Sequence, residues 1–164
     1  MKIRRLSELG DLGLWAKGPN WESRRYFVRK DGTSFSLHDT HVAPNTQTNI
    51  HYANHIEACL IYSGSCTVTD KQTGEAHALG AGEAYLLDQH DRHSVTAGPD
   101  GCKLVCVFTP PCDGREVHNE KGIYPVITEK GVYYERADAL QAEIDMLEAL
   151  VKDKKEELLR IKGA

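Results

Sequence analysis

The chain has no apolar run long enough to cross a bilayer, and none follows the basic residues of Met1-Lys2-Ile3-Arg4-Arg5-Leu6. Neither a membrane span nor a secretory signal peptide is therefore expected. Positive charge is not in excess either. The 20 Lys and Arg stand against 24 Asp and Glu, a formal charge of -4, which removes the electrostatic case for nucleic acid. Five cysteines (Cys59, Cys66, Cys102, Cys106 and Cys112) make an odd number, and no two form a Cys-x-x-Cys pair. That excludes a zinc knuckle or a thioredoxin-like motif and suits reduced thiols in a cytoplasmic protein. Length is not lacking, because 164 residues can build one core without disulfide support.

Short strands with turn punctuation fill the middle of the chain. Tyr26-Phe27-Val28 precedes Lys30-Asp31-Gly32, and Cys59-Leu60-Ile61-Tyr62 precedes Ser63-Gly64. Cys66-Thr67-Val68 leads to Lys71-Gln72-Thr73-Gly74, while Ala84–Leu87 and Lys103–Phe108 add two more apolar runs. Such spacing predicts an antiparallel sandwich or barrel. Pro110-Pro111 ends the last long strand, since proline cannot donate to a ladder. Cys106 is in phase with Leu104 and Phe108, which places it on the same side of that strand.

From Ala137 onward there is no proline, and no glycine until Gly163. Ala137, Leu140, Ile144, Leu147, Val151, Lys154, Leu158 and Ile161 recur at spacings of three and four, a heptad seam with one polar member. Acidic residues come early and basic ones late, which complements a helix dipole. The spacing predicts an amphipathic helix over 137–164, appended to a domain over 1–130. Its seam is free either to pair with a second copy or to fold back on the domain.

Two fragments suggest chemistry. Asn54-His55-Ile56-Glu57 is followed, after six residues, by Gly64; Leu87-Asp88-Gln89-His90-Asp91-Arg92-His93 follows the turn Gly80-Ala81-Gly82. Cupins carry a Glu and a His in settings like these, and their barrel brings the two together around a metal. Carboxylate and imidazole suit a divalent first-row metal. Taken singly the residues are ordinary: Glu57 reads as a surface strand carboxylate, His93 as a loop histidine, Tyr85 as a common strand residue.

Longer strings narrow the reading. Trp21-Glu22-Ser23-Arg24-Arg25, Phe35–Thr40, Asn54–Ala58, Leu87–His93, Leu104–Pro111 and Gly114–His118 together resemble the ectoine synthase family, in order and at compatible spacing. Thr109 stands where that family usually has Asn, residues 10–18 match poorly, and most members lack the helical extension. The resemblance implies an all-β fold, a cupin-type antiparallel β-barrel (jelly roll) with a C-terminal α-helical extension. It also implies a homodimeric cytoplasmic enzyme that pairs through its barrel and makes a compatible solute under osmotic stress. The implied reaction is a hydro-lyase ring closure: the amine of N-gamma-acetyl-L-2,4-diaminobutyrate attacks its own acetamide carbonyl, water leaves, and ectoine forms.

That reaction needs a polarised carbonyl, a neutral amine, a folded substrate and a dry pocket. The resemblance implies iron as Fe2+ held by Glu57, Tyr85 and His93, with zinc or another divalent metal also compatible. Arg25 with Trp21 suits the substrate carboxylate. Glu116 and His118, taken as neighbours on one strand face, are candidate bases. His55, in phase with Glu57, is expected to line the pocket beside the metal, and Tyr52 joins it among the catalytic candidates. Thr40, Tyr52 and Asp91 are polar neighbours of the substrate, and Phe108 an apolar wall. Two other readings remain: an Fe(II) cupin dioxygenase, weakened because Ile50-His51-Tyr52-Ala53 lacks a His-x-His, and a ligand-sensing cupin without catalysis.

Overall fold

The computed structural model describes residues 1–163, so Ala164, the last residue of the expected helical segment, lies outside the described residues. The strands are β1 (Trp15–Lys17), β2 (Trp21–Phe27), β3 (Ser36–Val42), β4 (Gln47–His51), β5 (Ile56–Asp70), β6 (Ala76–Gly80), β7 (Ala84–Leu87), β8 (Arg92–Thr109), β9 (Val126–Ile127) and β10 (Val132–Tyr133). One helix follows, α1 (Arg136–Lys162). All pairings are antiparallel.

Ser63-Gly64, which reads as a break between two strands, instead lies inside β5. The β5–β8 register shifts between Ile61 and Ser63 and again between Gly64 and Cys66, as a bulge requires. Gly64 has φ +75°, and a Cβ there would come within 2.1 Å of the Gly101 carbonyl oxygen. Only glycine tolerates both conditions. Facing bulges let the two longest strands bend together and serve two layers. The half of β5 before Gly64 pairs with the end of β8, flanked by β3, β2 and β1 on one side and β7 on the other. The other half pairs with the start of β8, flanked by β4 and β6.

The result is the expected cupin-type jelly roll with one correction. Among the described residues no ladder joins β1 to β6, so the sheet is open and not a closed barrel. Alternate side chains of β5 and β8 fill the space between the layers. Cys59, Ile61, Cys66 and Val68 meet Val95, Leu104, Cys106 and Phe108, with Trp21 and Leu87 beside them. Each such aliphatic or aromatic burial contributes about 1.5–3 kcal/mol. β8 stops at Thr109, as the two prolines dictate, and the strandless stretch that follows sends Cys112 and Tyr124 into the same core.

Helix α1 divides its apolar residues between two faces. Ala139, Ala142 and Met146 pack on Val126 and Tyr133, the folded-back contact. The seam residues Leu140, Ile144, Leu147, Val151, Leu158 and Ile161 remain 39 to 68 % exposed. The 3.6-residue period puts the two sets on different stripes, so docking one leaves the other uncovered. Asn54 ties the entry to the helix, its Nδ2 donating to the carbonyls of Tyr124 and Tyr134 at 3.2 and 3.0 Å. Among the described residues no helix is long and apolar enough to cross a membrane.

Candidate active site

A pocket opens between the two layers, and six strands line it. Trp21 comes from β2, Thr40 and Val42 from β3, Thr48 and Ile50 from β4, Glu57 from β5, Tyr85 from β7, Cys106 and Phe108 from β8. Tyr52, His118 and Tyr124 enter from loops. Residues paired directly across an antiparallel ladder point to one face. Glu57 pairs with Leu87 and with Phe108, and Tyr85 with Cys59, which aims both groups inward.

His93 pairs with Ile50, and the next inward pair is Val95 with Thr48, which turns the imidazole to the inner side, where it lies 5.8 Å from the Tyr52 ring and behind the lining residues. Its Nδ1 donates to the Asp91 carbonyl oxygen at 3.1 Å. That bond leaves Nε2 as an acceptor, and this atom is buried without a partner. Burial lowers the pKa of His93, only partly offset by the Asp91 bond, and keeps the ring neutral. Burial also raises Glu57 to about 7, against the lowering effect of the Cys59 and Cys106 thiols. The Tyr85 phenol is pushed well above its ordinary value by burial and by Cys59 and Glu57 beside it. A divalent metal fits these groups. It would neutralise a carboxylate that burial disfavours as an anion, and it would use the idle lone pair of His93. The tight cluster at Glu57 is nonetheless completed by Cys59 and Cys106, whose ligand atoms and that of Glu57 lie within 4.8 Å of one another.

Arg25 is fully buried and lies behind the pocket wall, not among the residues that line it. Its Nη2 donates to the Glu116 carbonyl oxygen and, at 3.3 Å, to the Tyr124 hydroxyl, and the guanidinium lies 5.7 Å from the Tyr124 ring centroid. Nη1 sits 3.5 Å from Glu116 Oε2 without making a hydrogen bond, and Nε has no partner. Two buried donors are therefore uncommitted. The Glu116 carboxylate accepts from the backbone N–H groups of Asp113 and Gly114 and does not line the pocket. The period-two reading that paired Glu116 with His118 presumes a strand, and the stretch from Pro110 to Pro125 has none. His118 alone of the two reaches the pocket. It stacks on Tyr124 with centroids 4.2 Å apart, meets Trp21 edge-on at 5.3 Å and shares a 3.3 Å hydrogen bond with the Tyr52 hydroxyl.

Two further expectations meet a different placement. His55 precedes β5 and is buried like Glu57, but its ring nitrogens bond to the carbonyls of Pro110 at 3.0 Å and Pro125 at 3.3 Å, outside the pocket lining. Asp91 also lies off the pocket, its carboxylate accepting from Gln89 N and its carbonyl orienting His93. Tyr52 is central, with Phe108, Tyr124, His118 and His93 rings 5.1 to 5.8 Å away. Thr40 lines the wall and donates to Ser23 Oγ at 3.2 Å. Pattern reading overlooks Tyr124, which has no periodicity around it, and Cys59, whose partner is named only by the β5–β8 register.

A family model described as "Ectoine synthase" matches residues 1–128. The chain is 45% identical to the L-ectoine synthase of Saccharopolyspora erythraea, over 79% of its own length and 95% of that protein. It is 42% identical to the enzyme of that name from Streptomyces anulatus, over 79% and 99%. Among solved structures, ectoine synthase from P. lautus superposes with a TM-score of 0.67 at 37% identity, covering 79% of this chain and 94% of that one. The polyketide cyclase RemF from Streptomyces resistomycificus, at 21% identity and a TM-score of 0.56, covers 69% of this chain and 80% of its own and shares the fold.

Proposed function

Since the chain belongs to the ectoine synthase family, we propose that it is an L-ectoine synthase, a carbon–oxygen lyase. It closes N-gamma-acetyl-L-2,4-diaminobutyrate to ectoine with loss of water. The observation that carries the reading is the pocket between the layers, which gathers Trp21, Thr40, Tyr52, Glu57, Tyr85, Phe108 and His118 from distant parts of the chain.

Glu57, Tyr85 and His93 would hold a divalent metal, iron(II) in this reading, which supplies Lewis acidity to the acetamide oxygen. The uncommitted Nε and Nη1 of Arg25 are donors for the substrate carboxylate. Glu116 positions that guanidinium and the loop that bears His118. Trp21, Phe108 and Tyr124 exclude water, which favours dehydration over hydrolysis of the acetamide. Burial, with the Arg25 guanidinium, holds His118 down to about 3 in the empty pocket; a substrate carboxylate paired with Arg25 would relieve that charge and let the imidazole, whose Nδ1 is buried without a partner, accept the amine proton. We place the enzyme in the cytoplasm, in compatible-solute synthesis under osmotic stress. Anaerobic incubation with iron(II) and the acetylated diaminobutyrate tests the reading. Ectoine formed without oxygen supports it; oxygen-dependent turnover would mean a dioxygenase, and binding without turnover a sensor.

His118→Asn is expected to lower kcat by about 10²–10⁴ with little change in KM, as loss of a proton acceptor should. The same variant has a stability signature. A histidine depressed from 6.5 to about 3 binds its proton in the unfolded chain first, so stability falls as pH drops from 6.5 towards 3. At pH 5 the cost from His118 is about 2 kcal/mol, and His118→Asn should soften that acid limb in a melting series. An unchanged kcat would pass the proton to the substrate itself.

We propose the unit over 1–130 as the catalytic body and α1 as an accessory that strengthens a homodimer. Ile144 and Val151 at one seam position with Leu140 and Leu147 at the other favour two-stranded coils. Cutting the chain after Glu135 should leave ring closure largely intact while the dimer dissociates at higher protein concentration in sedimentation. Loss of activity in a folded, dimeric truncation would instead make α1 part of the site.

A further inference from the structure

Past Met146, α1 stands clear of its own chain. Its packing on Val126 and Tyr133 is made by Ala139, Ala142 and Met146, and every residue from Leu147 to Gly163 is exposed. That free part runs about 25 Å at the helical rise per residue. It holds Leu147, Leu150, Val151, Leu158, Leu159 and Ile161 at 49 to 69 % exposure. A stretch of this length is marginal as a helix in water without packing, so it calls for a partner.

The charges say which partner, and which way round. Residues 137–148 carry four acids (Asp138, Glu143, Asp145 and Glu148) and no base, while residues 149–163 carry five bases and three acids. Two copies running the same way would lay acid on acid. They would also set Lys154 against the partner's Lys154 in the seam, and Glu143 beside the partner's Glu148. Running opposite ways, the acidic half of each lies on the basic half of the other.

We propose that α1 pairs antiparallel with α1 of a second copy, about a two-fold axis that crosses the helices near residue 149. The proposal rests on the reading of α1 as an accessory to the dimer, and adds direction and register. Leu140 then meets the partner's Leu158, and Leu147 the partner's Val151. Lys154 lies along the partner's Ile144, its stem in the seam and its ammonium beside the partner's Glu143. Such a contact is self-complementary and closes at two copies. The residues docked on Val126 and Tyr133 lie on another stripe, so they leave the seam open.

Cysteine cross-linking reads the direction without reference to activity. All five native cysteines are buried and should not compete. Full-length Leu140→Cys and Leu158→Cys are produced separately and by co-expression, oxidised with diamide, and the linked dimer is measured on a non-reducing gel. Co-expression should give about tenfold more linked dimer than either variant alone, because in a single variant the two new thiols lie about 27 Å apart along the axis. Gln141→Cys with Lys155→Cys, which flank the seam, repeat the test with the leucines intact. Linking within each single variant means parallel pairing; it overturns the proposal and leaves α1 an accessory to the dimer. No linking, in a full chain that still dimerises more tightly than the chain cut after Glu135, also overturns it and gives the seam another occupant. No linking with equal dimerisation of the two overturns both readings.

Discussion

Glu57→Ala should abolish ring closure and empty the metal site while the protein stays folded. Removing an anionic ligand from a Lewis-acid centre forfeits several kcal/mol of transition-state stabilisation, about 10²–10⁴ in kcat. Metal analysis and product formation on the purified variant measure both losses. The stability arm runs the opposite way. A carboxyl raised from 4.5 to about 7 holds its proton longer in the folded state, so the metal-free protein loses stability as pH rises between those values. By pH 8 the loss is up to about 3 kcal/mol. Glu57→Gln should therefore melt higher than the metal-free parent at pH 8, match it near pH 4, and be inactive at both. Full metal occupancy in either variant would remove Glu57 from the site.

Arg25→Ala should cost both stability and substrate affinity, and the two losses can be separated. Residue 25 is read from sequence as a carboxylate-binding group, for which truncation would mainly raise KM. In the folded protein the same guanidinium also faces a fully buried Glu116 carboxylate at 3.5 Å. Taking it away strands that charge, at a cost of about 3–5 kcal/mol, or roughly 10 °C in melting temperature for a chain of this size. Arg25→Lys keeps a positive charge but not the fork, so it should recover much of the melting temperature while KM stays high. Wild-type KM in Arg25→Lys would move carboxylate recognition to another group.

How much of this could be read beforehand depended on whether the signal was local. Pro110-Pro111 stops a strand through chemistry it carries itself, and the α1 pattern needs only its own period; both hold in the fold. Glu57 and Tyr85 line one pocket, as the family motifs implied. Period-two reasoning did not bring His55 or Glu116 to the pocket because both lie outside strands, where hydrogen bonds to loop backbone decide where a side chain goes. Gly64 was misread because a glycine after a polar residue signals a turn and a bulge equally well; only the opposing Gly101 decides between them. The Cys59–Cys106 pair was illegible for a related reason, since cross-strand register is set by long-range pairing and not by either strand alone.

The bend at Gly64 and Gly101 bears on how a substrate gets in. Two sheets held face to face by side chains alone can slide or gape, but here β5 and β8 run unbroken through both layers. Their covalent continuity makes the layers two arms of one folded ribbon. The width between the arms is then a property of the backbone crease set by Gly64 and Gly101. Admission falls to parts hung on the ribbon without a ladder, chiefly the stretch from Pro110 to Pro125, which carries His118 and Tyr124 on the pocket side and Glu116 behind. A vessel with one wall outside its ladders can take in a flexible chain and return a ring without loosening the strands that hold Glu57 in place.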